Sequence, residues 1–228
     1  PGHTETITGA AGVNLNKIGI AVRGEGEGRN KPIINFTTDV AASFDVNSAS
    51  CSVRNVVFTC GIDAQTAMIN IKAANFTMED CEVHFAVSGE QAVLSLLTTA
   101  AADRMTIRRC HFHGSNNAGA TSCIRIVGGT DIRIQDCDII GAFTTTVGGV
   151  NIATTATLNL LLERCLINNL ASVATKAFTD TITGSTGSIV DCRLHIASGT
   201  APVTGATMST IGNRFTAALG TADAALSF

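Results

Sequence analysis

The sequence predicts an all-β fold: a right-handed, single-stranded parallel β-helix, a solenoid of about eight rungs. Three observations carry this reading. A short motif recurs about every 27 residues, apolar and polar residues alternate inside each copy, and no stretch between copies has the period of a long amphipathic helix.

The motif appears six times, at residues 52–58, 77–83, 106–112, 133–139, 161–167 and 188–194. A weaker copy lies at 210–215 and an earlier one at 18–22. The central positions are Val56, Cys81, Cys110, Cys137, Cys165, Cys192 and Asn213, with spacings of 25, 29, 27, 28, 27 and 21. Loops of variable length between strands held in register produce this drift. Val53, Met78, Ile107, Ile134, Leu162 and Ile189 form one predicted inward column. Phe58, Val83, Phe112, Ile139, Ile167, Leu194 and Phe215 form another. Strict alternation breaks between the first column and the Cys, so a corner or bulge is expected there. A further strand is expected before each copy, at 44–46, 68–71, 93–96, 124–126, 150–152 and 181–182. We place the solenoid at 1–215 and a tail at 216–228. Leu219, Leu226 and Phe228 of that tail are expected to cap Ile211 and Phe215.

Composition narrows the function classes. The chain has 228 residues, a net charge of -3, 14% charged residues and 45% hydrophobic ones. A chain this apolar and weakly charged folds rather than staying disordered. Without a surplus of Lys and Arg it is not expected to bind nucleic acid. No apolar run approaches the roughly 20 residues that span a bilayer, so no membrane insertion is expected. Trp and Tyr are absent, which removes the usual stacking platforms for sugars and bases.

Stacked rungs place like positions above one another. Cys81, Cys110, Cys137, Cys165 and Cys192 therefore form a ladder, read as small buried free thiols that fill a narrow interior. No Cys-x-x-Cys pair or zinc spacing occurs. Replacing Cys137 by Ser is expected to destabilise by a few kcal/mol at most, roughly, through an unsatisfied buried hydroxyl.

Just before the Cys the outward residues are Asn55, Asp80, Arg109, Asp136, Arg164 and Asp191, alternating in sign from Asp80 onward. Opposite charges on neighbouring rungs favour register, which makes this column a registry device. Asp136 and Asp138 are the carboxylates a hydrolase would use, but arginines flank Asp136. His84, His113 and His195 share one outward position, and only the first two are on adjacent rungs, a weak basis for a metal site. The stretch 24–28 is Gly-rich but precedes a strand, not a helix, so it is read as a turn and not a phosphate cradle.

The opening residues carry a resemblance. Pro-Gly-His-Thr-Glu-Thr-Ile at 1–7, Gly-Val-Asn-Leu at 12–15, Ile-Gly-Ile at 18–20, Val-Arg-Gly-Glu-Gly-Glu-Gly at 22–28 and Pro-Ile-Ile-Asn-Phe at 32–36 resemble the first coils of pectate-lyase-fold repeat proteins. The likeness is greatest to a group encoded by tailed bacteriophages and prophages. In that group a helical cap and a first strand precede this stretch, so the resemblance implies that the chain is a piece of a longer protein. It implies a virion location and a structural or adhesive role in head decoration, a fibre or a tailspike. The implied partners are other virion proteins or a bacterial surface polysaccharide, with assembly as a homotrimer. No catalytic, cofactor or metal residue carries over from the family. The alternative is a polysaccharide lyase or hydrolase, secreted or on the virion, with Asp136, Asp138 and Arg164 as its site and calcium as its cofactor.

Overall fold

The structure is a computed structural model. It describes residues 2–87, 90–114, 119–144, 147–198, 202–205 and 208–217. The expected tail cap, with Leu219, Leu226 and Phe228, lies outside the described residues.

Three parallel sheets of nine, eight and eight strands run the length of the molecule. The first begins at Thr4–Ile7 and ends at Arg214–Ala217, the second runs from Val13–Leu15 to Val203–Thr204, and the third from Ala21–Arg23 to Met208–Ile211. One rung shows the plan: His111–His113 lies in the first sheet, Ser122–Ile126 in the second and Arg133–Gln135 in the third. The chain then returns to the first sheet at Asp138–Gly141, beside His111–His113 and parallel to it. The eight strands of the second and third sheets are separated by seven such steps, which matches the expected β-solenoid.

Register follows the predicted columns. Val53, Met78, Ile107, Ile134, Leu162 and Ile189 pair in sequence along the third sheet. Phe58, Val83, Phe112, Ile139, Ile167, Leu194 and Phe215 do so along the first. Each side chain in the first column is at most 1% exposed, so a one-residue slip would trade that face for a polar one. Near the start the interior is aromatic. Phe58 stacks on Phe36 at 6.4 Å and meets Phe44 of the second sheet edge-on at 5.4 Å.

The expected strand at 181–182 lies three residues earlier, at Phe178–Asp180. Phe178 continues the inward column from Val150, and Asp180 pairs with Ile152. A charged residue at an inward position hid the strand. Its carboxylate is held by the backbone N–H of Ile182 at 2.9 Å and the hydroxyl of Ser185 at 3.3 Å.

The broken alternation before each Cys is a left-handed corner joining the third sheet to the first. Asn55, Asp80, Arg109, Asp136, Arg164 and Asp191 all have φ between 49° and 58°, and Gly212 takes 65° at the last corner. The ladder runs unbroken through these corners, from Asn55 N–H to Glu79 O at 3.0 Å through to Asp191 N–H to Ile211 O at 2.9 Å. A second left-handed column stands five residues upstream, at Ser50, Asn75, Arg104, Asp131 and Asn159, and was not anticipated from the sequence. Asn and Asp tolerate this conformation best. Arg104, Arg109 and Arg164 do not share that preference, so the corners follow the stacking of rungs more than local propensity.

All eight cysteines are free and buried. The ladder thiols do more than fill space. Each Sγ–H points at the carbonyl two residues back: Cys81 to Glu79 at 3.1 Å, Cys110 to Arg108 at 3.3 Å, Cys137 to Gln135 at 3.1 Å and Cys165 to Glu163 at 3.2 Å. A hydroxyl at position 137 would therefore find the Gln135 carbonyl, which corrects the reason expected for a Cys137→Ser cost. What Ser loses is thiol volume and packing, not a hydrogen bond. Burial pushes the Cys110 and Cys123 thiols up, so both stay protonated. Thiol titration in denaturant should count eight reactive groups, and native protein should react at few of them. A denatured count below eight would show disulfides.

Candidate functional site

The corner column lies on the surface between the third and first sheets, where every side chain is displayed beside its counterparts on adjacent rungs. Asp80 accepts from Arg109 Nε at 2.7 Å and from Arg54 Nε at 2.9 Å. Glu79 beside it lies 3.5 Å from Arg109 and also pairs with Arg108. Lys31 donates to Glu82 at 2.9 Å and to the Asp80 carbonyl at 3.3 Å. Two turns on, Arg164 grips Asp136 through Nε at 2.7 Å and Nη2 at 3.0 Å, and also pairs with Glu163.

These contacts refine the expected alternating ladder. The arginines turn toward the preceding rung, so the column is built of separate pairs, Asp80 with Arg109 and Asp136 with Arg164. Among the described residues Asp191 joins no ion pair. The Arg109 guanidinium holds the Asp80 carboxyl below the usual carboxylate range, helped by Arg54, and Arg164 does the same for Asp136. Replacing Arg109 by Asp places three acids on consecutive rungs and should lower the urea midpoint. Asp accepts the left-handed corner more readily than Arg, so the loss should be electrostatic and added salt should largely restore it. A loss that salt leaves untouched would assign the effect to packing.

The outward face of the first sheet carries the histidines. His84 and His113 are paired in register, with ring centroids 6.1 Å apart, and His113 is also 6.1 Å from His111. His195 is two strands beyond the partner of His113, after Ile140 and Asn168, as the spacing requires. Asp138 is paired with His111 Nδ1 at 3.0 Å, and Glu82 lies 3.4 Å from His84 Nε2. Asp136 and Asp138 thus point outward on either side of the inward Cys137, but each has its own cationic or imidazole neighbour. Among the described residues no three His, Cys, Asp or Glu side chains converge on a point that holds a metal ion.

Burial lowers the basicity of His113, and the neighbouring His84 and His111 lower it further, against the opposite pull of Asp138 and Glu82. The unfolded chain therefore binds a proton at this position more readily than the folded one. Stability is intact above the ordinary value of 6.5 and is lost as pH falls through the lower folded value. A second loss follows nearer the ordinary 3.8 of Asp80 and Asp136, whose folded values are depressed. Urea midpoints measured across this range should fall in two steps, and His113→Gln should flatten the first. An unchanged first step would clear His113.

The described residues form two further concave surfaces of note. A groove of about 540 Å³ near the first rungs is lined by Arg23, Arg54, Glu25, Glu27, Asn55 and Asp80 among others. Here the Gly-rich turn is pinned from below, because Asn55 Nδ2 donates to the Gly24 carbonyl at 2.9 Å and the Gly26 carbonyl at 2.7 Å. A smaller cavity of about 290 Å³ lies on the first sheet near its last strands, beside Arg193, His195 and Arg214. Arg193 and Arg214 each directly follow the central residue of their copy, Cys192 and Asn213, and neither was singled out from the sequence. The signal was present in the alignment of the last two copies.

No protein-family model matches the chain, and neither does any curated protein or solved structure.

Proposed function

We propose that the chain is a structural or adhesive β-solenoid of a phage-derived virion protein, a segment of a decoration protein, fibre or tailspike without catalysis of its own. Its partners in this reading are other virion proteins or a bacterial surface polysaccharide, and its working form is a homotrimer. The family assignment rests on the resemblance of residues 1–36. The observation that supports the non-catalytic half is the Asp136–Arg164 pair, which keeps the Asp136 carboxylate ionised and so unsuited to general acid work. General acid catalysis needs a raised pKa, from burial or from a like charge.

The test is a screen against capsular and pectic polymers, with and without calcium, that reads unsaturated and reducing ends. Sedimentation in the same buffers reads the assembly state. Inactivity of a trimer supports the proposal. Cleavage that disappears in Asp136→Asn, Asp138→Asn or Arg164→Ala replaces it with a lyase or hydrolase.

A further inference from the structure

The groove of about 540 Å³ near the first rungs holds opposite charges that do not meet. Its lining includes Arg23, Glu25, Glu27, Arg54 and Asp80, with Gly24 and Gly26 in the same wall. Arg54 and Asp80 are paired with each other at 2.9 Å, and Asp80 also accepts from Arg109 at 2.7 Å. Arg23, Glu25 and Glu27 are exposed and, among the described residues, join no ion pair. One guanidinium and two carboxylates therefore share a concavity with their charges unspent.

The turn that carries the two glutamates is pinned, which holds them off Arg23. Gly24 N–H extends the strand ladder to Arg54 O at 2.9 Å. Asn55, on the next rung, clamps the Gly24 and Gly26 carbonyls through its Nδ2. Asn30 N–H closes the far side onto Glu27 O at 3.0 Å. A Cβ at Gly24 would lie 1.9 Å from Asn55 O, and one at Gly26, where φ is 123°, would lie 2.4 Å from Asn30 O. Only glycine permits so close an approach at either position. The volume falls within the range of small-molecule pockets. A wall fixed in advance also spares a ligand the cost of ordering it.

The charges select the ligand. A simple anion is repelled by Glu25 and Glu27, and a simple cation by Arg23. A molecule that carries both charges is attracted by each side. The Arg23 guanidinium offers a forked donor to a carboxylate, and an ammonium group has three N–H donors to divide between two glutamates. We propose that the groove binds a small zwitterion, with its carboxylate on Arg23 and its ammonium between Glu25 and Glu27, the chemistry of an amino acid. The site is independent of the adhesion reading above.

The experiment titrates the whole chain at low ionic strength with glycine, β-alanine and γ-aminobutyrate, a series of widening charge separation. Butyrate and butylammonium carry one charge each and serve as controls. The readouts are the amide resonances of Gly24 and Gly26 and the melting temperature. Saturable shifts are expected with at least one zwitterion, which should bind at least ten-fold more tightly than either control. Arg23→Gln and the double variant Glu25→Gln with Glu27→Gln, all at exposed positions, should each weaken that binding at least ten-fold. Arg133→Gln, at an exposed arginine elsewhere on the third sheet, should bind like the unmodified chain and controls for general charge loss. Saturation by no zwitterion, equal binding of a control compound, or undiminished binding in either groove variant overturns the site. Polymer cleavage in the earlier screen would sink the non-catalytic reading and leave this site standing, so the two failures are distinguishable.

Discussion

Phe58→Ala should cost about 3–5 kcal/mol, a large share of the roughly 5–15 kcal/mol that holds a domain together. Phe58 has no exposed surface. Its ring is stacked on Phe36 of the preceding rung and meets Phe44 of the second sheet edge-on, so it ties two sheets and two rungs at one point. Truncation leaves a cavity bounded by parallel ladders whose hydrogen bonds fix the rung spacing, and the walls have little freedom to close. Urea unfolding should show the midpoint falling with the slope nearly unchanged, and Phe58→Leu should recover much of the loss. A cost below about 1 kcal/mol would mean that the rungs collapse around the void.

Asn213→Val should be the next largest, about 2–4 kcal/mol from two buried backbone groups losing their partners. Asn213 ends the thiol ladder and does the ladder's work with an amide. Its Oδ1 accepts from Cys192 N–H at 2.8 Å and its Nδ2 donates to Ile189 O at 2.7 Å. One rung earlier, Cys192 Sγ accepts from Cys165 N–H at 3.4 Å and lies 3.6 Å from Leu162 O, with the nearer Val190 O at 3.3 Å competing for its one proton. Leu162 and Ile189 are register partners, so the two side chains reach equivalent backbone groups. Asn213→Cys should therefore restore most of the stability that Asn213→Val removes. Equal losses in both variants would show that amide shape, not the paired hydrogen bonds, matters at the last corner.

The ladder explains why the sequence was legible. Period-two alternation and a repeat near 27 residues reflect a constraint every rung shares, an apolar interior one or two side chains wide. The inward columns from Val53 to Ile189 and from Phe58 to Phe215 follow from that constraint alone. Where the constraint relaxes, so did the reading. Asp180 occupies an inward position and concealed the strand Phe178–Asp180, because its Oδ1 is held by Ile182 N–H and the Ser185 hydroxyl, neither of which a pattern of polarity records. The corner at each copy was visible as a break in alternation. Its left-handed conformation was not, because Arg109 and Arg164 have no preference for it.

The sequence by itself determined the solenoid, its columns and the buried thiol ladder, since each depends only on spacing and polarity. Which charges pair was decided by the tertiary structure. Alternating signs are compatible with a continuous ladder or with separate pairs, and side-chain direction at the corner chooses the pairs Asp80 with Arg109 and Asp136 with Arg164. The cavity beside Arg193 and Arg214 was likewise decided there. Their spacing of 21 residues is the shortest between copies, and only the stacked sheet places the two guanidiniums on one face beside a cavity. Interior packing repeats and so leaves a period in the sequence. A surface site is formed once, from residues on different rungs, and leaves none.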